Sequence, residues 1–521
     1  MAEFIVPRTV TISELKEGLK TRFSFQEDKA QTIDRRYQDT FDWRLYNKRY
    51  IYFVDRAPDT TLITLSSVNT DGKINSLQVV SSPVFAEDVK SIVFREKLVP
   101  LLGIRALVDK LSIVIRRYPL RYVDKDKKNR MHVFIDDYRL VQDNGKTRML
   151  DKRIRFEAVK GYDKTVNMIS EYITSKFKLP VAEQSIFETA ASILNIQAGQ
   201  YSSQLNARLD PALRTDQSLK NILFSSFDVM MANEEGIIRD IDTEFLHDFR
   251  VAVRRTRSVL GQIKDVYPKN ILEKIVPAIK WLGEITGPTR DMHVYLLKFD
   301  SYRQALPLDR QQCLEPLHAF LMKHQKIEHQ GLVKQFKTAR YRIFKKKWHE
   351  FLVSPVIEKT TMPVARQPVR ETADAHIWKA FKRVIKQGQA ITTNCPDEKL
   401  HSLRISCKKL RYLLEFFQSL YPDKKLKLLI KPLKQLQDIL GDFQDLSVQI
   451  NSIKELEVNM QAEGVMTPDT FDTMQLLVTH FNDRIKSQRG LYMDSFVLFS
   501  RQNNQMLFKN LFKPVAKKGV Q

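Results

Sequence analysis

Two stretches of the chain gather histidine, arginine and lysine at helical spacing. In LHDFRVAVRRTRSVL these are His247, Arg250, Arg254, Arg255 and Arg257; in LHSLRISCKKLRYLL they are His401, Arg404, Lys408, Lys409 and Arg411. With about 100° between successive residues of a helix, His247, Arg250, Arg254 and Arg257 fall within an arc of roughly 80°. Such a row suits the holding of oxyanions. Arginine offers a planar fork that fits phosphate oxygens, lysine a compact charge, and histidine a donor whose protonated form is favoured beside phosphate.

The apolar positions of these helices are Phe249, Val253 and Leu260 in the first and Leu403, Cys407, Leu410 and Leu414 in the second. By the same geometry they centre about 100° from the cations, so the cationic row borders the core instead of opposing it. Charges on a surface helix normally face solvent with both signs mixed. Here Arg254, Arg255, Lys408 and Lys409 have no acid three or four residues away, whereas Arg411 has Glu415 and His247 has Glu244. Like charges beside a core are costly until counter-charges arrive. These come either from an anionic ligand or from acids of neighbouring helices.

The two stretches are copies of one unit, aligned without a gap at an offset of 401 − 247 = 154. The same offset relates Tyr267-Pro268 to Tyr421-Pro422, Lys280 to Lys434, Leu282 to Leu436, Gly287 to Gly441 and Asp291 to Asp445. Each unit reads as a cationic helix, a stop near Tyr-Pro and a second helix ending near a glycine, with Gly287-Pro288 as terminator. Asp291 and Asp445 are expected to cap a following helix. A further acid-free run, KQFKTARYRIFKKK, adds Lys337 and Arg340 to the positive field.

The positive bias is general: 85 Lys+Arg against 61 Asp+Glu give a formal charge of +24 over 521 residues. That points to an acidic partner, and the length to more than one domain. Three cysteines without paired spacing fit a reducing compartment. No segment reaches the roughly 18 uncharged apolar residues of a membrane span. A cytoplasmic protein with no membrane partner is expected. No Gly-rich phosphate loop, Cys/His metal cluster or G-x-S-x-G elbow occurs, so neither a cofactor nor a metal site is expected.

LHSLRISCKKLRYLLEF followed by LKQLQDILGDFQDL resembles the CHAD family, the conserved histidine α-helical domain, and the first copy, with LGEITGPTRDMHV, is similar. The resemblance covers roughly residues 217–510. It implies a bundle of two pseudo-symmetric halves that binds inorganic polyphosphate through basic residues around a groove or pore, and hence association with polyphosphate granules. Carried over by position, the binding residues are His247, Arg250, Arg254, Arg255, Arg257, His401, Arg404, Lys408, Lys409 and Arg411. Lys280, Lys434, Lys337 and Arg340 join them as cations of the same field. Thr256 stands where the second copy has Leu410, a difference of local packing.

The elements ahead of these helices are of another kind. IYFV at Ile51 to Val54, TLITL at Thr61 to Leu65, LSIVI at Leu111 to Ile115 and MHVFI at Met131 to Ile135 read as strands. The fold class is therefore α+β and multidomain, with an antiparallel β-rich domain at 1–180, a connecting segment at 181–216 and a helical domain at 217–512. YQDTFDWRLYNKRY resembles a segment of the CYTH family, a β-tunnel that handles triphosphate. The alternating Glu-x-Glu-x-Lys expected near the start is absent, the region offering Glu14, Lys16, Glu17 and Lys20 in the helix-like ISELKEGLK. Without paired carboxylates to hold a metal, a degenerate, non-catalytic domain is expected. Two other readings stay open: a triphosphate-processing enzyme using the N-terminal domain, and a nucleic-acid binder. Against the second, the stripes lack interleaved aromatics for base stacking.

Overall fold

The computed structural model describes residues 3–67, 70–79, 81–142, 144–159, 162–205, 207–392 and 395–514. The chain divides into two compact units, Met1–Ser202 and Ser203–Gln521.

The first unit is built on an antiparallel sheet. Its strands are β1 (Glu3–Val6), β2 (Phe25–Glu27), β3 (Gln31–Asp39), β4 (Tyr50–Ala57), β5 (Thr60–Ser67), β6 (Thr70–Val79), β7 (Val108–Val123), β8 (Asn129–Val141), β9 (Thr147–Met149) and β10 (Lys152–Ala158). They run in the order β1-β10-β8-β7-β3-β4-β5-β6, with β2 on β7 and β9 on β8. Five helices accompany them: α1 (Ile12–Lys20), α2 (Arg44–Asn47), α3 (Ile92–Leu102), α4 (Asp163–Phe177) and α5 (Ile186–Ile193). The expected β runs fall in β4, β5, β7 and β8.

One face of the sheet packs Ile33, Leu111, Ile113, Ile115 and Leu140 against Ile186, Phe187 and Ala190 of α5. The segment expected to connect the domains from residue 181 is thus partly core of the first unit, because Ile186 and Phe187 are apolar enough to be drawn into it.

Strand register also pairs charges inside this unit. Arg35 lies opposite Asp55 and Arg117 opposite Asp136. Arg35 donates to both Asp55 oxygens at 2.7 Å, and Arg117 to both Asp136 oxygens at 2.8 Å. Burial alone would raise the Asp136 carboxyl, but Arg117 more than offsets it and holds it below the usual range. On β1, Glu3 accepts from the buried Arg153 at 2.7 Å. Glu3 is an acid that the sequence reading passed over; Lys16 and Lys20 of α1 instead bond Glu27 on the surface. A cavity of about 70 Å³ is lined by Glu3, Arg35, Asp55, Arg117 and Arg155. Its carboxylates do not fit a divalent cation, since each already accepts from a guanidinium. Among the described residues no group of three or more His, Cys, Asp and Glu could hold a metal ion.

The second unit is helical: α6 (Thr215–Ile238), α7 (Thr243–Gln262), α8 (Lys269–Ile285), α9 (Gly287–Gln304), α10 (Glu315–Phe336), α11 (Ala339–Val353), α12 (Val369–Gln389), α13 (Asp397–Phe416), α14 (Asp423–Ala462), α15 (Pro468–Ser500) and α16 (Gln502–Phe512). The repeat is written into these boundaries. The cationic helices α7 and α13 agree at both ends, 397 − 243 = 154 and 416 − 262 = 154, and α6 and α12 start at the same offset, 369 − 215 = 154. Thr215 N donates to Gln367 O at 2.9 Å and Val369 N to Leu213 O at 2.8 Å, each bond the image of the other. A pseudo-two-fold axis passes between them, at the bridge Arg214↔Pro368. No helix of the described residues is long and apolar enough to cross a membrane.

The halves differ after the cationic helix. In the first, only Thr286 separates α8 from α9, and Pro288 stands at the start of α9, a position that tolerates a missing N–H. In the second, α14 runs unbroken for 40 residues through Gly441. Asp291 and Asp445 are therefore not caps. Both lie inside helices, because the chain regains helical geometry before Asp291 and never loses it before Asp445.

Removing Glu3 should leave Arg153 buried without its carboxylate. Glu3→Leu is expected to cost the first unit about 3 kcal/mol, read as an earlier transition in urea unfolding of the whole chain. An unmoved transition would show that the pair contributes nothing.

Candidate anion site of the helical unit

Helix α7 begins at Asp242, whose carboxylate accepts from Glu244 N at 2.9 Å and Phe245 N at 3.3 Å. The ring of Phe245 lies on Gly236 of α6, where an added Cβ would stand 2.1 Å from it. This close approach fixes where α7 leaves α6. The expected apolar stripes are buried: Phe249, Val253 and Leu260 on α7, and Leu403, Cys407, Leu410 and Leu414 on α13. Thr256 is buried too and donates to Ala252 O at 3.0 Å. Since α7 and α13 also pack against each other, the cationic rows beside those stripes emerge at the seam of the two halves.

A cavity of about 530 Å³ opens there. His247, Arg254 and Arg255 line it from the first half, Lys408 and Arg411 from the second. Arg254 and Lys408 are images of each other, 408 − 254 = 154, so the pseudo-two-fold brings equivalent cations to one space. Burial, then repulsion from Arg404 and Arg254, pushes the Lys408 ammonium down to about 8. Arg255 is lowered chiefly by burial and donates to Ser203 O.

The other predicted residues lie elsewhere. Arg250 turns to the end of α8, donating to Gly283 O at 2.9 Å and Thr286 Oγ1 at 2.8 Å. Its image Arg404 donates to Asp445 Oδ1 at 2.9 Å. His401 is exposed and its Nδ1 lies 2.5 Å from Gln444 Oε1. Arg257, Lys409, Lys434 and Lys337 are exposed outside the cavity lining. Lys280 pairs with Glu284 at 3.5 Å, and Arg340 stacks over Trp281 at 4.2 Å. Arg404 reaches the cavity's edge through Asp445, which lines it, whereas the other cations contribute field to the surface and no contact to the cavity.

Sequence reasoning missed the acids of the site. Asp438, Asp442 and Asp445 occupy one face of α14 and line the same cavity. Their i, i+4, i+7 spacing could have shown this, but the expected break at Gly441 hid it. Asp248 and Glu415 line it as well, and Glu415 accepts from Arg411 Nε at 2.7 Å. Neutralisation by neighbouring acids is thus real in the second half. Arg290 of α9 was also overlooked; it donates to Thr243 O at 3.1 Å, and burial lowers it.

Comparisons with known proteins bear on the same helices. Residues 221–454 match the CHAD domain family. No curated protein sequence matches the chain. Among solved structures, the CHAD domain of the plant Ricinus communis is 23% identical, over 56% of this chain and 96% of that one, with a TM-score of 0.45. PptA from Streptomyces chartreusis is 15% identical, over 55% and 99%, with a TM-score of 0.43. A putative adenylyl cyclase from Hippeastrum, described as having a dominant triphosphatase activity, is 14% identical, over 37% and 94%, with a TM-score of 0.27. Through residues 221–454, the helical unit of this chain carries a CHAD domain.

Proposed function

We infer that the helical unit binds inorganic polyphosphate, without catalysis, in the cavity between its two halves. The observation that carries this reading is the meeting of Arg254 and Lys408 across the seam, with His247, Arg255 and Arg411 beside them. Two equivalent cations held close repel each other, and this repulsion adds to burial and to Arg404 in lowering the Lys408 ammonium. An anion with regularly repeated charge relieves it on both sides at once, which a single monovalent anion cannot do. Polyphosphate is also what the CHAD resemblance implies. The first unit is read as a degenerate CYTH-like domain, supported by the pairing of Glu3, Asp55 and Asp136 with arginines. Nucleic acid is the weaker candidate, because the cavity-lining cations are accompanied by one aromatic side chain, that of Tyr412.

Reversing charge on both halves should abolish binding and spare the fold. Arg254→Glu with Arg411→Glu is expected to weaken the affinity for labelled polyphosphate about a hundredfold or more, with the circular dichroism spectrum unchanged. Undiminished binding would refute the assignment. RNA is expected to compete poorly for the same site, measured by displacement of the labelled polymer at fixed salt.

The affinity should also depend on pH through Lys408. In the free protein this ammonium loses its proton through about 8, whereas a bound polyanion stabilises the charged form. The complex therefore holds the proton more tightly, so affinity is fully present below 8 and declines as pH rises above it. A roughly tenfold loss between pH 7.5 and 9.5 is expected, and Lys408→Arg should flatten the profile. An unchanged slope in that variant would remove Lys408 from the site.

A further inference from the structure

The two halves are alike in their cations and unlike in their acids. Glu415, which accepts from Arg411 at 2.7 Å, has Gly261 as its image, 415 − 261 = 154. Asp442 has Pro288, 442 − 288 = 154. Asp438 has Glu284, whose carboxylate is turned to Lys280. Asp445 holds Arg404 at 2.9 Å, whereas its image Asp291 leaves Arg250 bonded to Gly283 O and Thr286 Oγ1. Four carboxylates of the second half thus line the cavity against Asp248 alone from α7, and at two of their positions, those of Glu415 and Asp442, the first half has glycine and proline.

We propose that Glu415 and Asp445 are built-in competitors for the anion: they occupy Arg411 and Arg404 by ion pairs that the ligand must displace, so the polymer anchors first on Arg254 and Arg255 of the first half. This rests on the polyphosphate reading and deepens it. Each pair has one open partner through which to exchange: Asp445 is 54% exposed against 17% for Arg404, and Arg411 43% against 23% for Glu415. Pairs of this kind hold weakly and yield to a stronger counter-ion. A polyanion presenting several charges replaces both carboxylates, and two arginines are transferred from protein acids to phosphate oxygens with no change in covalent bonding. The acids then set affinity below what the cations alone would give, in the way that mismatched charge lowers affinity at an interface. They also keep Arg404 and Arg411 neutralised while the cavity is empty.

The test is binding of fluorescently labelled long-chain polyphosphate to the whole chain and to the double variant Glu415→Gln with Asp445→Asn. Binding roughly tenfold tighter is expected in the double variant, from a roughly two- to fivefold gain at each pair. Asp483→Asn, at an exposed ion pair with Lys486 outside the cavity lining, should leave affinity unchanged and so separates local competition from general charge. Should the double variant fail to fold, Asp445→Asn alone carries the test at the more exposed carboxylate. Wild-type binding with unchanged or weaker binding in the folded variant would overturn this inference alone. Wild-type protein that does not bind the polymer would overturn the functional reading and this inference with it.

Discussion

Like charges gathered at the seam between two like halves constrain the rest of the helical unit. A pseudo-two-fold built on the reciprocal bonds of Thr215 with Gln367 and Val369 with Leu213 lays α7 against α13. Because both helices carry cations beside their apolar stripes, this packing brings Arg254 and Lys408 to one cavity. Hydrophobic burial drives the packing, and the repulsion is its consequence. Core residues such as Phe249, Leu403 and Leu414 cannot be buried without carrying the cationic row to the seam.

The unit tolerates this by different means in its two halves. In the first, Arg250 donates to Gly283 O at the end of α8, where a helix leaves acceptors, and Arg290 to Thr243 O. In the second, α14 continues past Gly441 and brings a face of carboxylates to the cavity. A break at Gly287-Pro288 in one copy and its absence in the other thus change the electrostatics of the site, although the cations are conserved between the copies. The first unit handles charge differently. There, strand register sets Arg35 on Asp55 and Arg117 on Asp136, and a small cavity is left among groups that already satisfy one another.

Much of this was legible in the sequence. The offset of 154 foretold helices of matching ends, and the arc of His247, Arg250, Arg254 and Arg257 placed the cations beside the core. The strands at Ile51 to Val54 and Leu111 to Ile115 were marked by β-branched runs. What failed were inferences from local punctuation. Gly441 does not end its helix, because a lone glycine inside strong helical context costs only about 1 kcal/mol, less than the packing of α14 returns. Asp445 was read as a cap for the same reason, and with it the acidic wall went unseen. Glu3 was passed over because one acid in a short strand has no periodicity, and its partner Arg153 lies far along the chain. Which cations would reach the cavity was not legible either: Arg250 and Arg254 share an arc, yet a nearby helix end claims the first.

On the proposed reading, Arg254 and Lys408, equivalent across the axis, hold one ligand together. A double-mutant cycle of Arg254→Gln and Lys408→Gln on polyphosphate affinity measures this directly. The two losses are expected to be coupled, with a departure from additivity of about 1 kcal/mol or more. Strict additivity, with each substitution weakening binding as though the other were not there, would contradict a shared site.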